Sequence, residues 1–383
     1  MPVKFQQMTI LLRSRWASIR RRAAARGGAC LIFLAALTLP IGPTGCEAPT
    51  VTPVRERSHL ALIRERAGEA RVTGLGPIRG FAAGRDCTFI HCLELVLDAA
   101  DRPAGYDELM GLSGMAFRLQ CRIDRWDVGN PDPLVGDNRL PALFSAIGWE
   151  YDVRVVRREQ LAETESLRQA IRQSIDRRLP VLAANIIPPE DWGIITGYRR
   201  DETWLCRAYN AGAENADQPA QGWPSAVVLL VGRLPGVPTP REAHADSMRH
   251  AVELFVKQRS GDYAVGDAAF DEWCRALGAA RDRKYLHPNF WTYVGLIDAR
   301  GAAVRYLKSI AGEFGPRGTH LQAAADWYDK EVRVLLKGLE SVPPEAKFPD
   351  SLPPVELRNR QIDVLREAQG LERNAIDALR KAL

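Results

Sequence analysis

Between Tyr151 and Val231 the chain is cut into apolar runs of strand length, and from Thr239 onward it carries helical periodicity only. This change of period constrains the fold more than any other feature, because side chains alternate across a strand but return to one helix face about every 3.6 residues. Tyr151 to Val156 alternates; Pro180 to Ile187, Trp192 to Tyr198, Trp204 to Tyr209 and Ala226 to Val231 read as further strands. A turn at Arg200-Asp201 joins two of them as a hairpin, which requires antiparallel pairing. Cys87 to Ala100, the short piece Tyr106 to Met110, and Asn138 to Gly148 read as helices that come first, and Thr164 to Arg178 as a helix amphipathic through Leu167, Ile171 and Ile175. Helices followed by a run of strands predict an α+β domain with an antiparallel sheet.

After the strands, Thr239-Pro240-Arg241-Glu242 forms a capping box with proline at the first helical position. Further helices are expected over Ala268–Leu277, Asn289–Ala311 and Leu321–Leu339, and after a proline-rich break over Val355–Ala382. This all-helical C-terminal region is either a separate small domain or a cover packed on the sheet. The expected division is 1–45 leader, 46–75 tether, 76–235 α+β domain, 239–340 helical region and 355–383 final helix.

The formal net charge of +5 comes from the leader. Residues 1–45 hold seven of the 52 basic residues and no acid, so the rest carries 45 basic against 47 acidic side chains. The body lacks the basic excess of a nucleic-acid binder. Arg13 to Arg26 is a cationic stretch, and Ala29 to Leu39 an apolar run too short for the roughly 20 residues that span a bilayer. The order reads as a secretory signal peptide. Pro43-Thr44-Gly45-Cys46 then resembles the lipobox of bacterial lipoproteins, with Pro43 where an aliphatic residue is usual. That resemblance implies acylation at Cys46 and a membrane-anchored protein of the cell envelope; plain secretion is the alternative. Outside the leader, Cys87, Cys92, Cys121, Cys206 and Cys274 leave at least one thiol unpaired within the chain. No spacing suggests a metal ligand set, and no cofactor is expected.

Arg85 to Leu97 opens the first core helix. Asp86 is a good N-cap type, and Phe89, Ile90, Leu93, Val96 and Leu97 recur on one face. Cys87 then sits in the first turn, where the helix dipole favours a thiolate; the alternative is a small buried core cysteine. Cys87, His91, Glu94 and Asp98 follow at helical spacing on the polar face, so His91 is a candidate base oriented by Glu94. Gly111-Leu112-Ser113-Gly114 is a tight loop whose Ser113 and Gly114 either line a cleft or simply turn the chain.

A cysteine-led helix, a Gly-Ser-Gly loop, Arg177 to Ala183 (Arg-Arg-Leu-Pro-Val-Leu-Ala) and Asp191 to Tyr198 (Asp-Trp-Gly-Ile-Ile-Thr-Gly-Tyr) together resemble the papain-like fold. The nearest branches are bacteriocin-processing-type peptidases and the N-terminal domain of butirosin-biosynthesis-protein-H-like acyltransferases. The resemblance covers about Cys87 to Val231. It implies Cys87 as nucleophile, Asn210 as orienting residue, and Asp191 at the base position beside Trp192, where the family has histidine. It also implies a cleft holding a peptide or small molecule, lined by Ser113, Gly114 and Trp192. Two functions follow: a Cys87-dependent amide hydrolase or acyltransferase with a non-standard base, or a catalytically degenerate peptide- or ligand-binding lipoprotein.

Overall fold

The computed structural model describes residues 61–64, 67–79, 84–100, 102–156, 161–188, 191–208, 217–348 and 350–383. The expected leader, Cys46 and Asn210 lie outside the described residues. The strands are β1 (Ala61–Ile63), β2 (Ala70–Thr73), β3 (Gln120–Arg122), β4 (Trp149–Val155), β5 (Val181–Ala184), β6 (Trp192–Tyr198), β7 (Trp204–Arg207), β8 (Gln218–Pro219), β9 (Ala226–Arg233), β10 (Arg259–Ser260) and β11 (Tyr263–Val265). The helices are α1 (Thr88–Ala99), α2 (Tyr106–Leu112), α3 (Leu140–Ala146), α4 (Leu161–Asp176), α5 (Pro240–Val256), α6 (Asp267–Ala279), α7 (Leu286–Ile310), α8 (Gly318–Gly338) and α9 (Val355–Ala382).

The main sheet runs β1-β2-β6-β5-β9-β4, with β7 on β6 and β8 on β7, and every pair is antiparallel. This is the α+β architecture with an antiparallel sheet that the change of period predicts. β5 and β6 are buried along their whole length, so both of their faces are covered. α1 and α4 each pack on these two strands. At Gly197 the sheet is crowded enough to exclude a side chain, since a Cβ there would stand 2.5 Å from the Ala70 carbonyl oxygen. On α1 the predicted apolar face is the one buried. Phe89 meets Trp192 of β6 edge-on at 4.9 Å, and Ile90, Leu93, Val96 and Leu97 are shut from solvent. Each such side chain contributes about 1.5–3 kcal/mol.

Three expectations are corrected, and one open alternative is decided. The second half of the expected tether is structured: β1 and β2 form a hairpin whose Ala70 and Val72 are buried, and β2 extends the sheet along β6. The C-terminal region is not purely helical, because β10 and β11 make a hairpin that pairs with β3 in a second sheet. Of the two alternatives left open for that region, a separate small domain falls away. The region belongs to the same compact unit, Leu60–Leu383, and α7 packs along α2. Finally, Asp86 does not cap α1. The helix opens at Thr88 with Cys87 in the cap position and no side-chain cap bond. The five described cysteines are all buried free thiols. No helix among the described residues is long and apolar enough to cross a membrane.

Candidate functional site

The backbone at the head of α1 is tied down from the helical region. Asp86 N–H donates to Asp298 Oδ2 of α7 at 3.0 Å, and Cys87 N–H donates to the Tyr106 hydroxyl at 3.0 Å. Tyr106 in turn donates to the same Asp298 oxygen at 2.5 Å. Asp298 is 1% exposed, and its burial raises its pKa. A side chain from more than two hundred residues away thus fixes the backbone just before the first turn, at Asp86 itself.

Cys87 is 9% exposed. Burial pushes its thiol up to about 12; the Ile90 N–H and the Arg118 charge pull it down, and the Asp298 and Asp132 carboxylates push it further up. Desolvation thus outweighs the pull of the helix end. Cys87 borders a cavity of about 40 Å³. Its polar walls come from Asp86, Arg118, Gln120, Asn130 and Thr292, and its apolar walls include Met110, Met115, Leu296 and Ala299. The space lies between the head of α1 and α7, bounded by the segment that follows α2.

The other expected site residues sit around this point in different ways. His91 and Glu94 do pair, with Nδ1 2.9 Å from Oε2, but on a buried face rather than a solvated one. His91 Nε2 accepts the Arg79 N–H at 2.9 Å. An amide can only donate, so Nδ1 carries the ring proton and gives it to Glu94. Both ring nitrogens are then engaged. Burial pushes the Glu94 carboxyl up, but hydrogen bonds from His91 and Arg85 outweigh it and hold the pKa at about 2.

Asp191 accepts hydrogen bonds at Oδ1 from Thr88 Oγ1 and from Trp192 N–H, which places it beside the residue that follows Cys87. Its Oδ2 is buried with no partner among the described residues. Burial raises the carboxyl to about 7, against the pull of those two hydrogen bonds and with the Asp132 charge adding to the rise. Trp192 is buried, packing on Phe89 and donating its indole N–H to Asp132 Oδ2 at 3.1 Å. Ser113 is spent on its own turn: its hydroxyl donates to the Met110 carbonyl and accepts from Met115 N–H. Gly114 supplies the positive φ of 73° that the turn requires. Neither of these two borders the cavity.

Of the polar residues that border it, Asp86 and Cys87 stand out in the sequence, whereas Arg118, Gln120, Asn130 and Thr292 do not. Arg118 and Gln120 left one signal, as polar interruptions of the otherwise apolar run from Met115 to Cys121. Asn130 and Thr292 left none. Among the described residues no cluster of histidine, cysteine and carboxylate could hold a metal ion.

Fold and site together define a class: a mixed α+β protein with an antiparallel sheet, a helical C-terminal region bound to it, and a small polar pocket at the head of a core helix. No protein-family model and no curated protein matches the chain.

Proposed function

We propose that this is an exported, lipid-anchored ligand-binding protein, in which a papain-like domain keeps its cysteine-led helix and has given up catalysis. What supports the kinship is the arrangement around α1, with the cysteine at its head, the antiparallel sheet against its side, and Asp191 beside Thr88. The observation that carries the loss of catalysis is the Cys87 N–H, which the Tyr106 hydroxyl already occupies. In acyl transfer a free N–H at the nucleophile helps stabilise the developing oxyanion. The sulfur also lacks what a nucleophile needs, since its thiol stays protonated and both His91 ring nitrogens are committed.

The test is iodoacetamide labelling of the full chain against pH, resolved by peptide to separate the buried cysteines. Cys87 is expected to stay unlabelled through neutral pH. A labelling midpoint below pH 7 would restore the hydrolase or acyltransferase reading.

A further inference from the structure

We infer that two copies of this chain join through the outer edge of β4. The strands pair antiparallel about a two-fold axis at Val153, so that Asp152 of each copy faces Arg154 of the other.

β4 ends the main sheet, and among the described residues no strand pairs with its outer side. β1, at the opposite end, is three residues long; β4 is seven. An open edge of that length is a template for another strand, and proteins usually blunt it with a bulge, a proline or a charge. The one irregularity in the pairing of β4 with β9 falls between Glu150 and Tyr151. From Tyr151 to Val155 the register is regular and the sequence free of proline. Tyr151, Asp152, Val153 and Arg154 are half-buried. Val155 is 62% exposed, the most open large apolar side chain among the described residues.

The backbone decides which residues can pair outward. Val156 N–H donates to the Ser225 carbonyl at 2.8 Å, continuing the register in which Val155 stands opposite Ala226. Successive residues of an antiparallel ladder turn their backbone groups to alternate sides. Arg154 and Asp152 therefore direct theirs at β9, and Tyr151, Val153 and Val155 direct theirs outward. A second copy laid antiparallel and centred on Val153 sets outward residues against outward residues. Val153 meets its own counterpart, and Tyr151 meets Val155 of the other copy.

Charge then fixes the register. Asp152 and Arg154 share the sheet face opposite Val153, where they pair with each other at 2.8 Å and are each more than a third exposed. Arg154 also reaches Ser166 of α4 at 3.2 Å. Centred on Val153, the dimer forms an Asp152–Arg154 pair on each side of the axis. Sliding to the next register that the backbone allows sets Asp152 against Asp152, or Arg154 against Arg154, and like charges directly opposite destabilise a sheet. On the other face, exposed Val155 comes to lie beside Tyr151 of the second copy, whose ring is stacked on Phe144 at 4.1 Å. A contact of this symmetry uses up the edge in both copies and stops at a dimer.

Sedimentation velocity of the full chain from about 1 to about 200 µM reads the association. A dimer is expected to grow in across this range. Arg154→Asp and Asp152→Arg each set like charges across the axis and should weaken it about tenfold or more. Both side chains sit in an exposed ion pair, so the fold stands either substitution. Mixing the two variants restores opposite charges at every contact, and the double variant Asp152→Arg/Arg154→Asp restores them within one chain. In both cases the dimer should return to within about threefold of the parent affinity. Association through any other surface would not follow this pattern.

A chain that stays monomeric throughout the range leaves the edge to solvent or to an extended segment of another protein, and overturns the inference. So does a dimer that Arg154→Asp leaves intact, or one that mixing the two variants fails to restore.

Discussion

The Tyr106 hydroxyl mediates between two groups at the head of α1. It takes the Cys87 N–H at 3.0 Å and passes its own proton to Asp298 at 2.5 Å. Burial, followed by the Asp298 charge, keeps the phenol far above its usual pKa, so it remains a donor at every working pH. Removing the hydroxyl in Tyr106→Phe strands a buried N–H and takes a partner from a buried carboxyl. The expected cost is about 1–3 kcal/mol in urea unfolding; a change within about 0.5 kcal/mol, the usual range for a surface substitution, would mean that water repairs the gap. At this scale the sequence shows local relations and hides distant ones. His91 and Glu94 are three apart, and their pairing follows from helical spacing. Asp298 lies 192 residues beyond Tyr106, and no local pattern announces it. The expected cap at Asp86 fails because the helix begins one residue later than the local pattern suggests, with Cys87 in the cap position.

Elements were legible where their period was long or their chemistry local. The Thr239 capping box forms as the four residues predict, with Thr239 N–H donating to Glu242 Oε2 at 2.8 Å and Glu242 N–H to Thr239 Oγ1 at 3.3 Å. Thr239→Ala should therefore lower stability by about 0.5–2 kcal/mol in a thermal melt. Since α5 buries Met248 and Ala251 in the common core, the loss should appear in the single cooperative transition. A separate early transition for this helix would contradict that packing. The final helix spans Val355–Ala382, as its apolar stripe indicates. The hairpin of β10 and β11 was missed because strands of two and three residues are too short to show alternation. Its only local mark is Gly261, at φ 58° in the turn. β1 and β2 were hidden in a stretch of mixed polarity, where only Ala70 and Val72 are buried and Leu62 packs partly exposed against the core.

Within the compact unit Leu60–Leu383, a charge cluster joins the three long C-terminal helices to the segment beside the pocket. Arg300 of α7 is wholly buried and pairs with Glu372 of α9 through bonds of 2.7 and 2.8 Å. It also donates to the Ala116 carbonyl at 2.9 Å, and its Nε lies 3.5 Å from Glu331 Oε1 of α8. Neither the burial of these three charges nor their pairing shows in the sequence pattern, with Arg300 and Glu372 72 residues apart. One guanidinium cannot balance two buried carboxylates. Burial, followed by the Glu372 charge, lifts the Glu331 carboxyl well above its ordinary value, so it stays protonated in the folded chain. Unfolded, the same group ionises near its reference value of about 4.3. Above that pH the unfolded state binds fewer protons than the native state, so stability falls as pH rises. Glu331→Gln copies the neutral acid and does not titrate. Its stability relative to the parent should therefore grow by about 1.4 kcal/mol per pH unit from about pH 4.3 upward, until the folded carboxyl ionises. Urea denaturation at a series of pH values reads this difference directly, and parallel profiles for the two chains would show that Glu331 is charged in the folded core.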